Sequence, residues 1–236
     1  MDVRTYSPED AGQPPSLFPA YRSSVARSPR EPLIKIPQTL TEATGPAGCW
    51  NQLMGSANAD LTRQHKGEPI GQRIVVSGRV LDDAGRPVPN TMIEIWQCNA
   101  AGRYIHRNDQ WDAPIDPNFT GAGRVVTDDE GRYQCLTIRP GAYPWGNHHN
   151  AWRPAHIHLS LLGPAFATRL VTQLYFPDDP LIEIDPIANA VPPEARSRMV
   201  ARFDIATTQP NHALGYLFDV VLRGRDATPF EADRHD

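Results

Sequence analysis

Short segments with the pattern of β-strands, separated by turn sequences, constrain the fold of this chain more than any other feature. Residues 73–80 are rich in β-branched side chains and end at the turn cluster 82–87, while residues 91–97 alternate in the way a strand does. Similar segments lie at 124–127, 133–138, 156–162, 169–176 and 216–223. About seven strands at this spacing predict an all-β protein, namely a two-sheet β-sandwich with long functional loops and few short helices.

The connections between these strands carry their own predictions. The turn sequence 128–131 predicts that the strands on either side of it form a hairpin. The irregular segment 99–123 is too long for a plain connection, and loops of that size are usually functional. Residues 193–203 have helical character, with Pro193 at the start and Glu194 in the first turn, and a short helical turn is expected within 39–60.

The N-terminal part of the chain differs in composition from the rest. Residues 1–38 are rich in proline, serine and arginine and show no sustained period, so they are predicted to form an extended arm that cannot build its own core. The arm is expected either to lie across the body or to reach a partner subunit. Residues 39–236 then form the β-sandwich catalytic domain.

Charge, hydropathy and cysteine content exclude several classes of function. The formal net charge of −4 at pH 7, without a long basic block, argues against a nucleic-acid partner. Membrane insertion is not expected either, because no apolar run reaches the roughly eighteen residues of a spanning helix. The first residues lack a signal sequence, and Cys49, Cys98 and Cys135 form no Cys-x-x-Cys motif, which predicts reduced thiols and a cytoplasmic location.

Two histidines in one predicted strand mark the candidate reaction centre. In an extended strand, His156 and His158 point to the same face while Ile157 points to the opposite one. Two imidazoles on one face can share a metal ion, although a bare His-x-His can equally be a pair of hydrogen-bonded histidines on a solvent-facing strand. A nearby tyrosine, Arg153 and two tryptophans that would exclude water favour a reaction centre.

Two histidines do not fill a metal site, and the residues leave its completion open. A third histidine would suggest zinc, whereas a carboxylate would suggest a ferrous oxygenase. The candidates of these two kinds are His106, His148, His149, Asp109, Asp112 and Asp116. Tyr104 and Tyr143 follow glycine-containing turns on loops that can converge. A phenol, with a reference pKa near ~10, ligates as phenolate only beside a highly charged cation such as ferric iron.

The sequence around these residues resembles the intradiol aromatic-ring dioxygenases over roughly residues 21–224. The motifs that carry the resemblance are Gly102-Arg103-Tyr104, Pro140-Gly141-Ala142-Tyr143-Pro144-Trp145, Trp152-Arg153-Pro154-Ala155-His156-Ile157-His158 and Thr172-Gln173-Leu174-Tyr175-Phe176. The resemblance implies an Fe(III)-dependent enzyme with one ferric ion per chain, held by Tyr104, Tyr143, His156 and His158.

Within this family, the chain is most similar to the branch built from two kinds of chain. That similarity implies protocatechuate (3,4-dihydroxybenzoate) and dioxygen as substrates, and 3-carboxy-cis,cis-muconate as the product in aromatic catabolism by the β-ketoadipate pathway. It also implies an α chain as partner in a large hetero-oligomer. Because this chain has no cluster of arginines to receive an anionic substrate, the α chain is expected to supply part of the carboxylate site.

The resemblance further implies individual roles. Tyr143 is expected to dissociate when substrate binds and to take one of its protons. Arg153, whose guanidinium stays charged, is expected to stabilise negative charge on the ring carbon under attack. The expected substrate contacts are Tyr21, Trp145, Gln173 and Ile187.

Two other hypotheses explain part of the pattern. Residues 78–90 also resemble transthyretin-like domains, so the chain could be a β-sandwich binding module without chemistry, which leaves the tyrosines and histidines unexplained. The second of these hypotheses is a zinc hydrolase that uses His156, His158 and one more histidine. It predicts that activity survives the loss of either tyrosine hydroxyl.

Overall fold

Apolar side chains from the predicted strands pack between two sheets in the computed structural model, which describes residues 4–5, 12–32, 34–35, 58–147, 149, 152–163 and 166–231. Its strands are β1 (Arg4–Thr5), β2 (Ile34–Lys35), β3 (Arg73–Leu81), β4 (Met92–Trp96), β5 (Ala122–Val126), β6 (Arg132–Ile138), β7 (Tyr143–Pro144), β8 (Trp152–Arg153), β9 (His156–Gly163), β10 (Phe166–Tyr175), β11 (Arg202–Phe203), β12 (Leu214–Leu217) and β13 (Val220–Val221). The α-helices are α1 (Arg22–Arg27), α2 (Pro186–Ala190) and α3 (Pro193–Arg196), and short 3₁₀ helices span Leu61–Arg63, Pro180–Ile184 and Ser197–Met199. The predicted all-β class is confirmed.

One sheet has the strand order β10-β9-β4-β5 and is antiparallel throughout. In the other sheet β3 pairs antiparallel with β6 and parallel with β12 and β13, and β11 continues the sheet beyond β12. The two short pairs β1–β2 and β7–β8 lie outside these sheets.

The core lies between the two large sheets. Ile157, Leu159 and Leu161 of β9 are nearly inaccessible and belong to the same buried cluster as Ile74 and Val76 of β3. Because strand side chains alternate between faces, burial of these odd-numbered residues of β9 turns its even-numbered residues, including both histidines, to the other face of the sheet.

Three local predictions need correction. The strands at 124–127 and 133–138 do not form a hairpin, because β5 pairs with β4 in one sheet and β6 pairs with β3 in the other. The turn sequence between them is real, since Gly131 donates its N–H to Asp128, but the chain crosses between the sheets there. The predicted strand 216–223 is interrupted between β12 and β13, and the predicted helix 193–203 ends in a 3₁₀ turn before β11.

The described part of the predicted N-terminal arm contains α1, and Tyr21 just before it is completely buried. The short helical turn predicted within 39–60 lies outside the described residues except for positions 58–60. Cys49 and His148 also lie outside the described residues. Cys98 and Cys135 are buried free thiols. No helix in the described ranges has the length and apolar character needed to cross a membrane.

Candidate metal centre

The face of the β10-β9-β4-β5 sheet that points away from the core carries the two histidines. His158 lies opposite Gln173 on β10 and opposite Trp96 on β4, and His156 lies opposite Tyr175. Directly opposed residues on neighbouring strands point to the same face, so the register brings these five side chains together. His156 is 1% and His158 8% exposed, which contradicts the alternative of a solvent-facing pair.

Hydrogen bonds fix the orientation of both imidazoles. The Nδ1 atom of His156 lies 2.7 Å from the carbonyl oxygen of Pro154, and Nδ1 of His158 lies 2.9 Å from Oε2 of Glu231. Both partners are acceptors, so each Nδ1 carries the proton and each Nε2 presents a lone pair. Burial lowers the pKa of His156 well below its ordinary value, and the nearby Arg153 and His158 lower it further. This imidazole is therefore neutral.

Two loops bring the tyrosines together beside the histidines. The rings of Tyr104 and Tyr143 lie 5.5 Å apart, edge to face. Gly102 makes this approach possible: its φ of +80° favours glycine, and a Cβ there would lie 2.3 Å from the carbonyl oxygen of Ala142. The glycine of the Gly-Arg-Tyr motif therefore allows the backbone of one tyrosine loop to contact the backbone of the other.

Side-chain amide and carboxylate groups hold the Tyr104 loop in shape. Oδ1 of Asn99 accepts hydrogen bonds from the N–H groups of Ala101 and Arg103, at 2.9 and 3.0 Å. Oδ2 of Asp109 accepts one from the N–H of Tyr104 itself at 2.8 Å. The long segment predicted to be functional contains no helix or strand from 97 to 121, so these bonds replace regular structure in positioning the tyrosine.

The two phenols are protonated in their buried surroundings. Burial, and secondarily the neighbouring Tyr143, raises the pKa of Tyr104 well above its ordinary value. Burial also raises the pKa of Tyr143, although Arg153 partly offsets this. The Tyr104 hydroxyl is buried without a hydrogen bond of normal geometry, and the Tyr143 hydroxyl lies 3.3 Å from Nε2 of His156. A buried hydroxyl without a hydrogen bond is costly, so the Tyr104 hydroxyl is suited to bind a ligand.

Arg153 is the most constrained charged residue near the histidines. Its guanidinium donates to both carboxylate oxygens of Asp185, at 3.2 and 2.8 Å, and to Oε1 of Gln173 at 2.5 Å. Nη1 reaches Nε2 of His156 at 3.1 Å, and the Tyr175 hydroxyl completes the network with a 2.7 Å bond to Asp185. Although burial alone lowers the pKa of Arg153, Asp185 raises it well above its ordinary value. The result is a fixed positive charge beside the two rings.

The remaining predicted substrate contacts lie around this charge. The Arg153 guanidinium stacks on the Trp145 ring at 5.1 Å, and the Tyr21 ring lies 5.3 Å from the same tryptophan. The Tyr21 hydroxyl is buried and makes no hydrogen bond of normal geometry with any described residue. Burial raises its pKa, although Arg27 opposes the shift. Ile187 is buried on α2.

Other residues that the sequence offered as metal ligands make different contacts. Among the described residues, no three histidine, cysteine or acidic side chains form a group that could hold a metal ion. Asp109 holds the Tyr104 loop, and Asp116 accepts hydrogen bonds from the N–H groups of Ile70 and Asn118, at 2.7 and 2.8 Å. Nδ1 of His106 accepts from a backbone N–H of its own loop. The Tyr143 hydroxyl, in contrast, lies 3.3 Å from Nε2 of His156.

Sequence reasoning missed four residues of this centre. Trp96 and Tyr175 could have been found from strand register, since both lie on strands next to β9. Asp185 caps α2 just before Pro186, a position that signals a helix start but not an ion pair. For Glu231 the sequence held no signal, because its bond to His158 joins residues 73 positions apart.

Comparison with known proteins assigns the chain to a class of enzymes. The family model described as "Dioxygenase" matches residues 44–224, and the model described as "Protocatechuate 3,4-dioxygenase beta subunit N terminal" matches residues 6–39. The chain belongs to the intradiol dioxygenase family and is an intradiol ring-cleaving enzyme. The non-catalytic transthyretin-like module and the zinc hydrolase are therefore wrong as hypotheses for the whole chain.

Individual relatives make the similarity more specific. The chain is 57% identical to the protocatechuate 3,4-dioxygenase beta chain of Burkholderia cepacia, over 98% of this chain and 100% of that one. It is 32% identical to the alpha chain from the same organism, over 68% of this chain and 77% of that one. Among solved structures, 3-chlorocatechol 1,2-dioxygenase from Rhodococcus opacus 1CP matches with a TM-score of 0.51 and 28% identity, covering 69% of this chain and 63% of that one.

Proposed function

We propose that the chain holds one Fe(III) ion through Tyr104, Tyr143, His156 and His158 and cleaves protocatechuate with dioxygen. An intradiol cut breaks the bond between the two hydroxyl-bearing carbons, and both oxygen atoms enter the product, 3-carboxy-cis,cis-muconate. The carrying observation is a cluster of two phenols and two imidazoles: Tyr104 packs on Tyr143, Tyr143 packs beside His156, and both histidines already use their Nδ1 atoms in hydrogen bonds. The relative in Burkholderia cepacia supports the substrate, and with it a place in aromatic catabolism by the β-ketoadipate pathway.

The donor set favours a trivalent cation. Both phenols have pKa values raised by burial, so a cation must offset the loss of two protons before they ligate as phenolates. The two imidazoles are neutral donors and contribute no charge. When bound, ferric iron supplies the positive charge that stabilises the phenolates and draws electron density from a catecholate. Tyr104, whose hydroxyl has no protein partner of normal geometry, gains one in the metal.

Arg153 and Tyr143 carry the chemistry that the protein itself supplies. Tyr143 would accept one of the two catechol protons, and a hydroxide displaced by the substrate would take the other and leave as water. The substrate could then bind as a dianion without adding net charge to the site. The Arg153 guanidinium, fixed by Asp185 and Gln173, stabilises the negative charge that develops on the ring carbon attacked by dioxygen. Because Asp185 and Gln173 hold the arginine before substrate arrives, little reorganisation is needed during the reaction.

The substrate ring lies, in this proposal, against Trp145 and Ile187, with Gln173 as the polar side chain of the pocket. The buried Tyr21 hydroxyl, which makes no hydrogen bond of normal geometry with any described residue, is suited to donate a hydrogen bond to the substrate carboxylate. Arg27 lies over the Tyr21 ring at 4.7 Å and adds positive charge nearby.

We propose an α chain as partner in a large hetero-oligomer. The named relative is a beta chain, and an alpha chain of the same organism is itself similar to this chain, so two homologous chains that pack together are the expected arrangement. Part of the carboxylate site then comes from the α chain. The buried free thiols Cys98 and Cys135 suit a reducing compartment, and we propose the cytoplasm.

The test is oxygen uptake with protocatechuate and with unsubstituted catechol, on chain produced with and without a co-expressed α chain. We expect red, iron-containing protein, from tyrosinate-to-iron charge transfer, that consumes one dioxygen per protocatechuate and prefers it to catechol. Tyr143→Phe and Tyr104→Phe should both lower uptake strongly.

The matched control is Tyr133→Phe, which also removes a buried hydroxyl but in the core, where it donates to the carbonyl oxygen of Phe218 at 2.6 Å. This variant should keep its colour and its rate of oxygen uptake. Colourless protein with a full complement of iron, or uptake that survives both tyrosine changes at the metal centre, would refute the proposal.

A further inference from the structure

The end of the described chain, residues 227–231, is tied to the edge of the sheet that carries the metal centre. It lies beyond residue 224, where the match to the dioxygenase family model ends. β10 is the edge strand of its sheet, and the N–H of Glu231 donates to the carbonyl oxygen of Val171 on it at 2.7 Å. Further bonds of this segment are Thr172 Oγ1 to the carbonyl oxygen of Pro229 at 2.7 Å, Val221 N–H to Thr228 Oγ1 at 3.0 Å and Phe230 N–H to Gln13 Oε1 at 2.7 Å.

This anchoring delivers a carboxylate to one of the two histidines. Glu231 is 5% exposed, and its Oε2 lies 2.9 Å from Nδ1 of His158. On its ring face, His158 stacks on Trp96 with 4.7 Å between ring centroids and 7° between planes. The stack fixes the plane of the imidazole, and the carboxylate fixes its rotation within that plane, so together they aim Nε2.

The two histidines differ in the acceptor that each one uses. His156 donates to a neutral backbone carbonyl, whereas His158 donates to a carboxylate. A carboxylate bonded to the far nitrogen raises the basicity of the imidazole as a ligand, and loss of such a partner typically lowers metal affinity by about 10–100-fold.

We propose that Glu231 is a positioning residue of the metal centre. By accepting the Nδ1 proton of His158 it selects the tautomer with a free Nε2, aims that atom at the metal and strengthens it as a ligand. The residue does not touch the substrate or the reacting atoms, and the proposal rests on the ferric site proposed above.

The first experiment does not need iron. In the metal-free full-length chain, nitrogen NMR of His158 should show the Nδ1-protonated tautomer in the wild type and a mixture of tautomers in Glu231→Ala. An unchanged tautomer in this variant would overturn the proposal whether or not the chain binds iron. A wild-type chain that takes up no ferric iron would refute the proposed function instead, so the two failures are distinguishable.

The second experiment compares iron affinity, by competition with a chelator, and the charge-transfer spectrum. Glu231→Ala should lose about 10–100-fold in iron affinity and shift the band, while Glu231→Gln, whose amide oxygen can still accept the proton, should lose less. The control Thr172→Val removes an anchor of the same segment but not the carboxylate, so its unfolding midpoint should fall while its band stays unchanged. Equal losses of iron affinity in Thr172→Val and Glu231→Ala would overturn the proposal.

Discussion

Removing Asp185 should destabilise the protein far more than removing an exposed acidic residue. Asp185 is completely buried and accepts two hydrogen bonds from Arg153, at 3.2 and 2.8 Å, and one from Tyr175 at 2.7 Å. In Asp185→Ala a guanidinium that is only 2% exposed loses its counterion. Breaking a buried ion pair in this way costs about 3–5 kcal/mol. With an m-value on the order of 2–3 kcal/mol/M, the urea midpoint should fall by about 1–2.5 M.

The control is Asp226→Asn, because Asp226 pairs with Arg198 at 3.4 Å while 81% of its own side chain is exposed. That pair should contribute at most about 1 kcal/mol. The double variant Arg153→Met/Asp185→Leu, which removes both buried charges, should be more stable than Asp185→Ala despite carrying two changes. A loss below about 1 kcal/mol in Asp185→Ala would refute the view that Arg153 is held by a buried charge pair. If that variant does not fold, Asp185→Asn gives the same comparison with a smaller expected loss.

Three further predictions concern individual groups at the centre. Tyr104→Phe removes a buried hydroxyl without a partner, so the metal-free protein should be as stable as wild type or about 1 kcal/mol more stable by urea unfolding, while iron retention on dialysis falls. Because burial keeps His156 neutral in the folded protein, below its ordinary pKa of 6.5 only the unfolded chain takes up this proton, and stability decreases as the pH is lowered. His156→Gln should reduce that pH dependence by up to about 1.4 kcal/mol per pH unit. Gly102→Ala would place a Cβ 2.3 Å from a carbonyl oxygen of the facing loop. The control is Gly85→Ala, where φ is similar but a Cβ would meet nothing within 4 Å, so its expected loss of stability is roughly 1–2 kcal/mol. By thermal unfolding Gly102→Ala should lose more stability than this control, and equal losses would argue against the close approach of the two loops.

Local sequence pattern predicted the strands but not all of their pairings. The β9 strand was predicted correctly because its apolar residues alternate with its histidines, and alternation is a property of the strand itself. The hairpin at 124–138 was wrong because a tight turn joins two strands without requiring that they pair with each other. Burial decides the pairing: Val125 and Tyr133 pack into the same core cluster, from opposite sheets.

The residues of the centre likewise fall into two groups, those recognisable from local motifs and those whose contacts are long-range in the sequence. The tyrosines and histidines lie in local motifs, and the resemblance of those motifs to the dioxygenase family singled them out, whereas spacing alone left the completion of the site open. Asp185 and Glu231 bond to the centre across 32 and 73 positions, and in the sequence each is one acidic residue among many. Their roles depend on which strand edge or helix end the fold brings to the site, and this is set by the packing of the whole domain.

The charges around the centre favour a highly charged cation as the metal proposed there. Arg153 and Asp185 form an ion pair that adds no net charge, and the Glu231 carboxylate is hydrogen-bonded to His158. His156 is kept neutral by burial, and the two phenols hold their protons because burial raises their pKa values. In this arrangement the site can offer its two phenolate charges only when a bound cation replaces two protons. A cation that cannot stabilise both phenolates leaves at least one tyrosine as a neutral phenol, a poor ligand, in a buried position. The proposed selection for ferric iron would therefore follow from the cost of ionising two phenols in an apolar setting, and it would require no carboxylate in direct contact with the metal.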